Sequence, residues 1–130
     1  MAREKLAGEK LRRDSFQICI LWRLLREQRQ GTPQFGADMM KLGNLTRSIE
    51  RRCTDMGQEK VPERCAAILV ALEGLKNGQD CETALSSVGA AALGIHQMIC
   101  PEKSPTDQLN EIDATVAIIR ARNQATALAS

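Results

Sequence analysis

Aromatic side chains are nearly missing. Phe16, Trp22 and Phe35 are the whole supply, 2% of the chain, and there is no tyrosine. A platform that stacks the bases of single-stranded nucleic acid draws on several aromatics, so none is expected here. Histidine is scarcer still, with His96 alone. One imidazole cannot furnish a His-rich metal site, nor the two Glu-x-x-His elements of a ferritin-like di-iron bundle. Glycines are scattered singly, so no Gly-rich phosphate loop and no nucleophile elbow can be read. No apolar run approaches the eighteen or so residues of a membrane span; the longest candidates are Cys65 to Leu72 and Val88 to Ile95. Arg3, Glu4 and Lys5 are not followed by the apolar stretch of a secretory signal.

The cysteines are Cys19, Cys53, Cys65, Cys81 and Cys100, an odd count with no C-x-x-C spacing. A zinc knuckle or thioredoxin-type motif is therefore unavailable. Each thiol falls on an apolar helical face, where free cysteine acts as a small hydrophobe. A reducing cytoplasm is the expected setting, with no metal, no cofactor and no membrane.

What is present describes a single globular domain. The chain has 130 residues, 43% hydrophobic and 26% charged, with a net charge of +2. Surface scaling gives roughly 6,800 Å² when folded against roughly 21,000 Å² for the open chain, enough burial for one core.

Helical periodicity runs through nearly the whole sequence, and no stretch alternates with period two. A first helix is expected over about Arg3 to Gln30, closed by Gly31-Thr32-Pro33. Its centre, Phe16 to Leu25, is apolar nearly all round, so neighbours must enclose it on several sides, or a second copy must cover it. A second helix, about Gly36 to Met56, spaces Leu42, Leu45, Ile49, Cys53 and Met56 three or four apart, with Gly43-Asn44 as a potential kink. A third begins near Pro62, carries Val61, Cys65, Ile68, Leu69, Leu72 and Leu75, and stops at Asn77-Gly78. Asp80 can cap a fourth, in which Cys81, Leu85, Val88, Ala92, Ile95 and Ile99 form an a/d-like seam with small residues around Gly89. After Pro101, Ser104-Pro105-Thr106-Asp107 reads as the capped start of a fifth helix, carrying Leu109, Ile112, Val116 and Ile119. The fold class is all-α, a compact bundle of about five helices.

Charge is uneven: residues 1–60 carry a net +5 and residues 61–130 a net −3. The segment around Gly43 has some features of a helix-turn-helix, but Asp38, Asn44 and Arg52 occupy positions where apolar support belongs, so a continuous or kinked helix is expected instead. His96 in a small helical bundle resembles histidine phosphotransfer domains in size and architecture, which would imply phosphoryl acceptance at that residue. That family follows its histidine closely with Lys and Gly, and Gly94-Ile95-His96-Gln97-Met98-Ile99 has neither in place. A structural histidine beside the Ala92, Ile95 and Ile99 seam is expected.

By exclusion, the sequence points to a non-catalytic protein acting through protein–protein contacts, as adaptor, regulator, chaperone or assembly subunit, with a protein partner or as a homo-oligomer. The over-apolar first helix makes Leu21, Trp22 and Leu25 the candidate anchors. The rival reading is nucleic-acid binding through the basic first half, with Arg12, Arg13, Arg23, Arg26, Arg47, Arg51 and Arg52 on phosphates.

Overall fold

The computed structural model describes the backbone of residues 2–129 and the side chains of residues 8–126. Five helices follow one another, α1 (Ala2–Glu27), α2 (Pro33–Asp55), α3 (Lys60–Lys76), α4 (Cys81–Ile99) and α5 (Pro105–Ala129), with no strand among the described residues. The fold is all-α, as the periodicity requires.

The helix ends follow from local chemistry. Thr32 caps α2, its hydroxyl accepting from the Phe35 amide at 3.3 Å, and Pro33 takes the first helical position. The expected start at Gly36 was therefore one turn late: Pro33 opens α2 instead of only separating it from α1, because a first-turn N–H has no helical acceptor to lose. Pro62 lies within the first turn of α3 for the same reason. Gly57 and Gly78 end α2 and α3 with φ of 78° and 91°, backbone that side-chain-bearing residues avoid. Asp80 accepts from both the Thr83 amide and hydroxyl at 3.0 Å, and Ser104 accepts from the Asp107 amide at 3.1 Å. Helix α2 runs unbroken through Gly43-Asn44, so there is no turn of a helix-turn-helix there.

α1 to α4 form a ring in which each helix packs on the next and α4 closes back onto α1. Cross-links show that neighbours run antiparallel: Asp14 meets Arg52 and Asp38 meets Gln28 between α1 and α2, while Ser15 meets His96 and Trp22 meets Leu85 between α1 and α4. α5 lies outside this ring, against α1 and parallel to it, with Arg23 on Asp113 and Glu27 on Arg120. α1 is thus enclosed by α2, α4 and α5, which accounts for its apolar girth.

α1 and α4 approach closely at Gly89. A methyl group there would overlap the Trp22 indole, whose Nε1 donates to the Leu85 carbonyl at 2.8 Å. Beside it the Cys19 thiol reaches the Ala92 carbonyl at 3.5 Å. The small residues of α4 thus admit α1. All five cysteines are free thiols, four of them buried.

Candidate functional site

The anchors expected on α1 are core residues. Leu21, Trp22 and Leu25 are 2%, 8% and 0% exposed, so they have no surface to offer a partner in this fold. Their burial follows from the three neighbours of α1, which use the apolar excess inside the molecule. Met56 and Leu109, read as core-facing, are instead 60% and 41% exposed, because each sits near the end of its helix.

The basic candidates do not share one surface. Arg12 pairs with Glu102, Arg23 with Asp113 at 3.1 Å, and Arg52 with the buried Asp14 at 3.3 Å. Arg13, Arg26, Arg47 and Arg51 are exposed and form no ion pair among the described residues. Arg26 lies over the Trp22 ring, 5.4 Å from its centroid. Arg13 lines a cleft toward α4 and α5, whereas Arg47 lines one against α3. Arg13 and Arg47 thus open onto different clefts.

Two clefts hold residues that the sequence singles out. The first lies between α1, α4 and the start of α5. His96 sits there, 3% exposed, with Nδ1 2.8 Å from the Ser15 hydroxyl and Nε2 without a partner among the described residues. The Phe16 ring is tilted 55° to it at a centroid distance of 5.8 Å. Burial, then the Lys103 charge, lowers the His96 pKa from its usual value, with a smaller opposing pull from Glu111. Of the cations at this mouth, Arg12 and Lys103 are held by Glu102 and Glu111, so only Arg13 is without an ion pair among the described residues. Burial thus favours the neutral imidazole.

The second cleft is an open groove of about 280 Å³ between α2 and α3. Met39, Gly43, Leu69 and Leu72 form its floor, and Met40, Arg47, Glu73 and Lys76 its rim. Met40 is 70% exposed, and Val70, on the outer face of α3, is 72% exposed. No other large hydrophobic among the described residues is as exposed as these two. Sequence reasoning missed them, although both stand off the core stripes of their helices. An apolar residue outside an otherwise amphipathic stripe was the available signal.

No family model, curated protein or solved structure matches the chain. The groove therefore has to be read from its own chemistry. Among the described residues no set of three metal-ligating side chains converges, and no helix is long and apolar enough to cross a membrane.

Proposed function

We propose that the chain is a non-catalytic, protein-binding module whose partner-facing surface is the α2–α3 groove. The observation that carries this reading is the pairing of an apolar, methionine-lined cleft with the exposed Met40 side chain at its edge. Methionine adapts its shape to a partner at small cost and is favoured in grooves that receive apolar helices. Arg47 on the rim and Arg51 one turn further along α2 add basic charge, both exposed and without an ion pair among the described residues. The occupant that fits is an amphipathic helix of another protein, apolar on one face and acidic along its edge. The reading includes a cytoplasmic setting, supported by the free thiols; burial pushes Cys19 and Cys65 up to about 12, which keeps them unreactive.

The test uses labelled synthetic helices with leucine at i, i+3 and i+7, flanked by Glu or by Lys. Saturable binding of the acidic series, weakened roughly thirtyfold by Met40→Asp, is the expected result, the size of a hot-spot loss. Equal binding of both series, or indifference to Met40→Asp, overturns it. Generic duplex and single-stranded DNA belong in the same titration. Binding that persists near physiological salt and is lost in Arg47→Glu would replace the protein partner with nucleic acid.

A further inference from the structure

α5 presents a second unpartnered face. Its inner side seats Gln108, Ile112 and Val116 against the bundle, but on the opposite side Ala114, Ala117, Ile118, Ala121 and Ala125 are all exposed, Ile118 at 55%. Every residue from 120 to 126 is exposed, so the last turns of the helix stand clear of the body.

The charges bordering this face say what covers it. With 3.6 residues per turn, Glu111 and Arg122 lie along one edge and Asp113 and Arg120 along the other. The contacts agree, since Asp113 and Arg120 both reach α1, at Arg23 and Glu27, while Glu111 turns the other way to Lys103. On each edge the acid and the base are equally far from the midpoint between Val116 and Ala117. A two-fold axis at that point therefore sets Glu111 opposite Arg122 of a second copy, and Asp113 opposite its Arg120. In a parallel pairing, like charges would face each other on both edges, which is repulsive.

We infer that the outer face of α5 is a self-association surface, on which α5 of a second copy packs antiparallel about a two-fold axis beside Ala117. The alanines let the two backbones approach, and the Ile118 side chains fill the space on either side of the axis. Arg122 has no ion pair among the described residues, and Asp113 and Arg120 keep 57% and 47% of their side-chain surface exposed, so the partner's charges can join the existing pairs.

Sedimentation equilibrium over a concentration series tests this with the full chain. The expected mass is twice 14.3 kDa. Ile118→Asp should return it to the monomer with an unchanged far-ultraviolet circular dichroism spectrum, since the side chain is exposed and folding does not depend on it. Arg122→Glu should weaken the dimer at least tenfold, and adding Glu111→Arg to it should recover most of the loss. A wild-type monomer at all concentrations overturns the inference. So does a dimer indifferent to Ile118→Asp, or one that Arg122→Glu leaves intact. The groove between α2 and α3 lies on other helices, so peptide binding there stands or falls separately.

Discussion

Glycines that look alike in the sequence carry opposite energetic consequences. Gly89 and Gly43 both lie inside helices and are both buried. At Gly89 an added methyl meets the rigid indole of Trp22, so Gly89→Ala should cost about 1–3 kcal/mol through overpacking. At Gly43 the same methyl finds Arg47 Nη1 at 3.5 Å and Leu72 Cδ1 at 3.8 Å, ordinary contacts. Gly43→Ala should therefore stabilise the chain by up to about 1 kcal/mol, the helix-propensity gain. Denaturant midpoints of the two variants check both signs. Nothing in the sequence separates these glycines, because the difference lies in what α1 or α3 brings from across the core. His96 makes a second residue-scale prediction. Its folded pKa lies below the ordinary 6.5, chiefly through burial. As pH falls below 6.5 the unfolded chain takes up a proton that the native state resists. The native state should therefore lose stability from pH 6.5 downward until its own depressed pKa is passed. Urea midpoints between pH 8 and 5 should show that slope, and His96→Gln should flatten it.

Among the helices, the ends were more legible than the surroundings. Asp80 and Ser104 cap α4 and α5 as their spacing implies, because a cap depends on four or five adjacent residues. Ser104→Ala should accordingly cost about 1 kcal/mol, measured by thermal or urea unfolding. Pro33 was less legible, since proline marks both the end of one helix and the start of the next, and only the Thr32 hydroxyl bond decides. The enclosure of α1 could be anticipated from its apolar girth, but whether a fifth helix or a second copy supplied the third neighbour could not. Leu21, Trp22 and Leu25 show the cost of that ambiguity: large apolar side chains in sequence look the same whether they await a partner or already have one.

For the whole molecule, the candidate surface was hidden in residues that broke a pattern. Met40 stands outside the core stripe of α2, and only the placement of α2 beside α3 turns that stray hydrophobic into the edge of a groove. The basic first half dispersed for the same reason. Folding draws Arg12, Arg23 and Arg52 onto acids distant in sequence, and the remaining arginines end on different faces.

The Trp22 indole is the one such ring in the chain, and it lies in the α1–α4 seam with its N–H on the Leu85 carbonyl. Its emission is therefore a built-in optical gauge of that single seam. Blue-shifted light reports α1 seated on α4, and a red shift reports the indole reaching water. Events at the α2–α3 groove leave the ring's surroundings untouched and should pass in silence, whereas pairing through α5 acts on Asp113, whose partner Arg23 lies 6.0 Å from the ring centroid. A change of colour on adding a partner would mean that the bundle itself had opened.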